Sequence, residues 1–198
     1  MTKAVFLDRD GVINRYPGDF LYVTSWERFK FLPGVFAGLK KLREKGYALF
    51  VISNQAGVSK GVYPQRELDR ITENMLAVLL KHKIIVSGVY YCVHKEEDKC
   101  QCRKPMTGLV KKAVEEFRKT GDDIELAESF FIGDTIRDIK TGRSAGLRTI
   151  LVFSGKEKDA NRGSWETPPD LTAKDLSEAA RIITRERFPR GRNVPSDS

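Results

Sequence analysis

Hydrophobic and polar residues are grouped in blocks along this chain, and the period changes from block to block. Short, nearly unbroken apolar runs occur at Val5–Leu7, Tyr47–Ile52, Gly88–Val93, Phe130–Gly133 and Arg148–Phe153. Runs of that kind are how strands covered on both faces read. Between them an apolar residue returns every three or four positions. Val35, Phe36, Leu39 and Leu42 mark the stretch Val35–Lys45, and Leu68, Ile71, Met75, Leu76, Leu79 and Leu80 mark Pro64–His82. Leu109, Val110, Ala113, Val114 and Phe117 mark Thr107–Lys119, and further helical stretches are predicted at 136–144 and 175–188. These spacings predict amphipathic helices. Gly46 and Gly121 supply stops, Pro64 suits a first turn, and Thr107 is placed to cap the third helix. His82, among lysines, is expected to face solvent.

Strands that alternate with helices predict an α/β fold, a doubly wound and mostly parallel sheet. Such sheets bind ligands outside the carboxyl ends of their strands. Asp8, Asp10, Ser53 and Asp134 all fall at such ends. Within the first strand's extension, alternation turns Asp8 and Asp10 the same way and Arg9 elsewhere. Residues 15–33 carry Tyr16, Phe20, Tyr22, Trp26, Phe29 and Phe31 without a helical period, which predicts a long loop over the site with its aromatics anchored to the body. The segment 154–169, rich in Gly, Pro and charge, is expected to be a surface loop. Residues 1–188 then make one domain without a separate cap, and 189–198 a basic, unfolded tail.

Composition narrows the partners. The chain has 198 residues, 40% of them hydrophobic, and 35 basic against 27 acidic residues for a net charge of +8. That size suits a single domain. The basic excess admits nucleic acid, an anionic membrane or a phosphate-bearing substrate. Basic residues are scattered and not interleaved with aromatics as a stacking platform would be, so neither a nucleic-acid-binding module nor a polynucleotide 3′-phosphatase is expected. No apolar run approaches the roughly 20 residues that span a bilayer. Met1-Thr2-Lys3 leads directly into a core strand, leaving no room for a secretory h-region, and a cytoplasmic monomer is the expectation.

The residues at the strand ends suit phosphoryl transfer. Asp8 can attack phosphorus and form an aspartyl-phosphate, and Asp10 can protonate the leaving oxygen and then activate water. Asp8, the main-chain carbonyl of Asp10, and Asp134 offer the hard oxygens that Mg²⁺ prefers. Ser53 with the following amides, and Lys104, can neutralise the transferring group. A second cluster is softer. Cys92-x-His94 and Cys100-x-Cys102 supply three thiols and an imidazole, a closed four-ligand set for structural Zn²⁺ that would fix the loop carrying Arg103 and Lys104.

Four motifs in this order resemble those of the haloacid-dehalogenase (HAD) superfamily of aspartate-nucleophile phosphatases. They are Asp8-Arg9-Asp10-Gly11, Ile52-Ser53-Asn54, Lys104-Pro105 and Gly133-Asp134-Thr135-Ile136-Arg137-Asp138. The resemblance implies a Rossmannoid HAD fold with Asp8 as nucleophile, Asp10 as acid/base, Ser53 and Lys104 on the phosphate, and Asp134 on the metal. Asp138 would orient Lys104 or a metal-bound water. The Cys-x-His…Cys-x-Cys-Arg-Lys-Pro pattern is similar to the zinc-bearing subgroup that includes heptose bisphosphate and histidinol-phosphate phosphatases. Gly11-Val12-Ile13-Asn14, Asn54-Gln55-Ala56-Gly57 and Tyr90-Tyr91-Cys92 resemble the heptose bisphosphate members more closely. A small phosphorylated sugar is the substrate so implied, with Asn14, Asn54 and Arg103 beside it.

Overall fold

A computed structural model describes residues 1–185. Six strands form one sheet in the order β3-β2-β1-β4-β5-β6, every neighbouring pair parallel. They are β1 (Ala4–Leu7), β2 (Ala48–Asn54), β3 (Gly88–Cys92), β4 (Phe130–Gly133), β5 (Arg148–Val152) and β6 (Leu171–Ala173). The helices are α1 (Val35–Glu44), α2 (Gln65–Lys81), α3 (Gly108–Arg118), α4 (Ile136–Ser144) and α5 (Leu176–Arg185). The chain runs outward from β1 to β3, then returns to lay β4 on β1's other side. Strand order therefore reverses between β1 and β4, the position at which a crevice opens above an open parallel sheet.

The side-chain pattern explains the two layers. Val5 and Leu7 of β1 face a core shared with α1, α2 and α5, while Ala4 and Phe6 face the opposite core, shared with α3. All four are fully buried, so β1 has no polar position until it ends. Helices on both faces force that composition on a central strand. Strand β3, with only Cys92 buried, is one edge of the sheet and β6 the other.

Several expectations need correction. The strand predicted through Asp8 and Asp10 stops at Leu7, and both acids lie in the turn that follows. Thr107 makes no side-chain cap on α3; the Gly108 amide donates to the Gln101 carbonyl at 3.0 Å, which ties the helix to the cysteine loop. Strand β6 was not foreseen, because three residues carry no period. It is held at the edge of β5, where the Asp170 carboxylate accepts from the Thr149 amide at 2.8 Å and the Thr149 hydroxyl at 2.7 Å. His82 is exposed as expected, yet its ring stacks on Phe36 at 4.0 Å between centroids. The last predicted helix beyond residue 185 and the tail at 189–198 lie outside the described residues. Among the described residues no helix is long and apolar enough to cross a membrane.

Candidate active site

The carboxyl ends of β1, β2 and β4 surround a cavity of about 470 Å³ that Asp8, Asp10, Ser53, Lys104, Asp134 and Asp138 all line. Asp8 follows β1 directly, and its Oδ1 accepts from the Arg9 amide at 2.7 Å. Lys104 lies 3.0 Å from the same oxygen. The ammonium is 3% exposed and has two further partners, Asp138 Oδ1 at 2.6 Å and the Ile52 carbonyl at 3.0 Å. Its three N–H groups are thereby matched by three acceptors. Burial works against its charge, but Asp138 and Asp8 outweigh that and raise its pKa.

Asp138 has two tasks. Its Oδ2 accepts from the Thr135 amide at 3.1 Å and the Thr135 hydroxyl at 2.7 Å, while the Asp138 amide points back at that hydroxyl. This capping box starts α4. The same carboxylate is fully buried against Lys104, so the helix start and the lysine's position depend on one residue.

Carboxylate oxygens of Asp8, Asp134 and Asp138 lie within 4.8 Å of one another, all buried. Burial pushes the Asp8 carboxyl up to about 6 despite Lys104, and burial together with Asp8 and Asp138 pushes Asp134 well above the usual range. Three buried acids with one ammonium between them leave an excess of negative charge, which a divalent cation would offset. The donors are hard oxygens, as Mg²⁺ requires. With Asp138 committed to Thr135 and Lys104, the carboxylates best placed for the metal are Asp8 and Asp134.

The sulfur cluster also assembles. Cys102 Sγ lies 3.2 Å from Cys92 Sγ and 3.3 Å from Cys100 Sγ, and Cys92 Sγ lies 3.6 Å from Cys100 Sγ. His94 Nδ1 lies 3.2 Å from Cys102 Sγ and 3.7 Å from Cys92 Sγ. A tetrahedron with Zn–S arms of 2.3 Å has edges of about 3.8 Å, so these four atoms already stand near its corners.

One residue expected to meet substrate is placed differently. Asn14 is fully buried and its amide donates to Asp10 Oδ1 at 2.8 Å and to the Arg15 carbonyl at 3.0 Å, so it holds the acid instead of lining the cavity. Asn54 reaches the cavity, but its side chain brackets the Lys104 peptide, accepting from the amide at 3.0 Å and donating to the carbonyl at 3.2 Å. Arg103 stands on the cavity wall and donates to the His94 carbonyl at 3.3 Å.

A family profile described as HAD-hydrolase-like matches residues 101–179. D-glycero-beta-D-manno-heptose-1,7-bisphosphate 7-phosphatase of Haemophilus influenzae is 33% identical across 93% of this chain and 98% of its own length. The chain belongs to the HAD-like hydrolase family of phosphatases. A D-glycero-alpha-D-manno-heptose-1,7-bisphosphate 7-phosphatase of Campylobacter jejuni is 36% identical over 81% of this chain and 87% of its own. Among solved structures, the D,D-heptose 1,7-bisphosphate phosphatase of B. bronchiseptica, complexed with magnesium and phosphate, superimposes with a TM-score of 0.81 at 26% identity over 92% of this chain and 98% of that one.

This HAD-like phosphatase uses more residues at its site than its motifs name. The segment expected to be a plain surface loop begins as a wall of the cavity: the Lys156 amide donates to Asp134 Oδ2 at 2.7 Å, and Ser154 Oγ donates to the Gly11 carbonyl at 2.7 Å. Trp165 within it is buried and stacks on Phe153. Lys156 also reaches Asp19 at 2.6 Å, joining the loop after β5 to the aromatic loop across the cavity mouth. In that aromatic loop Trp26, Phe29 and Phe31 pack together and against Phe36 of α1 as anchors, whereas Phe20 and Leu21 are exposed. Arg9 and Gln55, both buried, join the Asp10 carboxylate. Both lie in segments that resemble the family's, yet no local signal gives either one its contact to Asp10.

Glycines hold Asp134 in place. A Cβ at Gly155 would stand 2.0 Å from Asp134 Oδ2, and one at Gly11, where φ is +84°, would stand 2.2 Å from it. Gly155→Ala is therefore expected to dislodge the Asp134 carboxylate and raise the Mg²⁺ concentration for half-maximal activity roughly tenfold or more, as displaced ligand geometry does at metal sites. Mg²⁺ titration of phosphate release checks it, and an unchanged midpoint would remove Asp134 from the metal site.

Proposed function

We propose that this phosphatase removes the 7-phosphate of D-glycero-D-manno-heptose 1,7-bisphosphate through an aspartyl-phosphate on Asp8, with Mg²⁺ as cofactor and Zn²⁺ as a structural ion. The observation that carries the reading is the convergence of Asp8, Lys104, Asp134 and Asp10 on one cavity at the point where strand order reverses. The names of its relatives support the substrate, since both anomers of the same heptose bisphosphate occur among them. The solved relative holding magnesium and phosphate supports the cofactor.

In this scheme an Asp8 oxygen forms a bond to phosphorus as the bond from phosphorus to the sugar oxygen breaks. Asp10 gives that oxygen its proton. Water then attacks the aspartyl-phosphate, Asp10 takes the water's proton, and phosphate leaves with Asp8 restored. Lys104, fixed between Asp8 and Asp138, sets positive charge beside the nucleophile, and Ser53 with its neighbouring amides meets the phosphate oxygens. Asp8, Asp134 and the Asp10 carbonyl would hold Mg²⁺, which supplies charge against the phosphate when bound. Cys92, His94, Cys100 and Cys102 would hold Zn²⁺, and Arg103 would meet the distal phosphate with its planar fork. One chain supplies every one of these residues, which suits a monomer.

A side-by-side assay of the alpha and beta anomers of heptose 1,7-bisphosphate and of histidinol phosphate tests the substrate. One heptose anomer should give a kcat/KM at least about 10²-fold above histidinol phosphate, the scale of discrimination that one unpaired polar or charged group imposes. Preference for histidinol phosphate would overturn the assignment.

A further inference from the structure

The site described so far leaves a buried polar cluster behind Asp10 without a task. Arg9, with no exposed surface, reaches Asp10 Oδ1 through Nε at 3.2 Å and Nη2 at 3.0 Å, and Oδ2 through Nη2 at 3.1 Å. Gln55, 1% exposed, closes the cluster. Its Nε2 donates to Asp10 Oδ2 at 2.9 Å and to Ser53 Oγ at 3.2 Å. Its Oε1 accepts from Arg9 Nη2 at 3.0 Å and from the Tyr63 hydroxyl at 2.8 Å. Both hydrogens and both lone pairs of the amide are engaged.

Charge fixes which way the amide faces. Turned over, it would set Oε1 against the Asp10 carboxylate and its hydrogens against the Arg9 guanidinium. Arg9 and Tyr63 thus aim the Gln55 amide at Asp10. The two Asp10 oxygens are not equivalent. Oδ1 accepts from Arg9 Nε, Arg9 Nη2 and Asn14 Nδ2, which leaves no lone pair for a proton. Oδ2 has Gln55 and only a share of Arg9 Nη2, whose two hydrogens also serve Oδ1 and Gln55 Oε1, so one of its lone pairs is left for a proton. A carboxyl that carries a proton in turnover must carry it on the less crowded oxygen.

We propose that Gln55 is a positioning residue for proton transfer by Asp10, holding Oδ2 in register with the leaving oxygen of a phosphate bound beside Ser53. The inference rests on the phosphatase reading. It assigns the transferred proton to Oδ2. During bond breaking that proton passes to the leaving oxygen, and the attacking water later returns one to the same atom. Gln55 forms no bond to substrate; its hydrogen bond to Ser53 bears on the phosphate of every ester alike, whereas its hydrogen bond to Asp10 bears on the leaving oxygen.

Leaving groups separate positioning from general structural support. A 4-nitrophenolate departs without a proton, a phenolate needs one more, and a sugar alkoxide cannot leave without one. The experiment measures kcat/KM, which reports steps through phosphoryl transfer, for 4-nitrophenyl phosphate, phenyl phosphate and heptose bisphosphate in wild type, Gln55→Met and Tyr63→Phe. Gln55→Met should lower the sugar phosphate to 4-nitrophenyl phosphate ratio roughly 10²-fold, the low end of what acid catalysis supplies. Phenyl phosphate should fall between. Tyr63→Phe should shift the ratio the same way by a smaller factor, and it carries the test if Gln55→Met fails to fold. In an Asp10→Asn background, Gln55→Met should shift the ratio no further. Equal losses on all esters, an unmoved ratio in Tyr63→Phe, or an additive shift in Asp10→Asn would each overturn the proposal. A wild-type protein inactive on all three esters would overturn the phosphatase reading, and one active only on the two aryl esters would overturn the heptose assignment while their ratio still tests Gln55.

Discussion

Asp8→Asn is expected to lower Mg²⁺-dependent phosphate release by roughly 10⁴-fold or more, the scale on which loss of a catalytic nucleophile registers. An amide oxygen at this position can still accept from the Arg9 amide and lie beside Lys104, so the geometry around it survives. What disappears is the electron pair that bonds to phosphorus. Stability should move in the opposite sense from activity. Burial pushes the Asp8 carboxyl up to about 6, against the attraction of Lys104. An acid whose pKa is higher folded than unfolded binds its proton more tightly in the native state, so folding stability falls as pH rises from about 4 to about 6 and stays lowered above that. The neutral amide removes that cost. In the absence of added Mg²⁺ at pH 8, the melting temperature of Asp8→Asn should be no lower than that of wild type. Turnover within tenfold of wild type would exclude Asp8 as nucleophile, and a collapsed melting curve would leave the activity loss attributable to unfolding.

The second large effect belongs to the sulfur cluster. Purified protein should contain about one equivalent of zinc by elemental analysis, and Cys102→Ser should contain almost none. Cys102 immediately precedes Arg103 and Lys104, and the Lys104 ammonium must lie within 3.0 Å of Asp8 and 2.6 Å of Asp138. The loop from residue 93 to 107 has little apolar surface to hold it. Its ties to the body include the Gly108 amide on Gln101, the Asn54 side chain on the Lys104 main chain, the Ser59 hydroxyl on the Val93 carbonyl and the Lys104 ammonium on the Ile52 carbonyl. Without the metal those ties must hold the lysine unaided. A displacement of about 1 Å costs on the order of 10²-fold in rate, so turnover of Cys102→Ser should fall by about that factor and its melting temperature should drop. Zinc-free protein with normal turnover and normal stability would show that the four ligands serve no structural metal.

Much of the scaffold is legible in the sequence. Tyr47–Ile52 reads as a doubly covered strand because β2 is central and helices lie on both of its faces, so no alternation survives to confuse it. The stripe from Leu68 to Leu79 reads as a helix because only one face of α2 is buried. Asp8, Lys104 and Asp134 were legible as a set because each directly follows a signal that is local, a strand end or a cysteine loop. Asp138 was visible as a motif acid, and its capping of Thr135 was present in the spacing of the two residues.

Arg9 was not legible. An arginine between two acids at a strand end reads as exposed, and its burial depends on Gln55, Tyr63, Phe29 and Tyr91, which come from separate segments. Asn14 was placed beside substrate by resemblance, yet the turn from Gly11 to Asn14 closes it inward. The Gly11 amide donates to the Asn14 carbonyl at 2.7 Å and the Asn14 amide to the Arg9 carbonyl at 3.0 Å. The loop from 154 to 157 lacked any signal of function because its contributions to Asp134 are a main-chain amide and the smallness of Gly155. Backbone donors and missing side chains leave no chemical type in a sequence to recognise.

The sequence by itself determined five of the six strands, the helices, the acids at the strand ends and the Cys/His cluster, because periodicity and residue chemistry act over a few positions. Only the tertiary structure decided how Asp10 is held, which asparagines face inward, and where Lys156 and Gly155 meet Asp134. Contacts around the cavity join residues separated by as many as 143 positions, as between Ser154 and Gly11. Their energies depend on burial and distance, and both exist only after the strands have brought their carboxyl ends to one crevice.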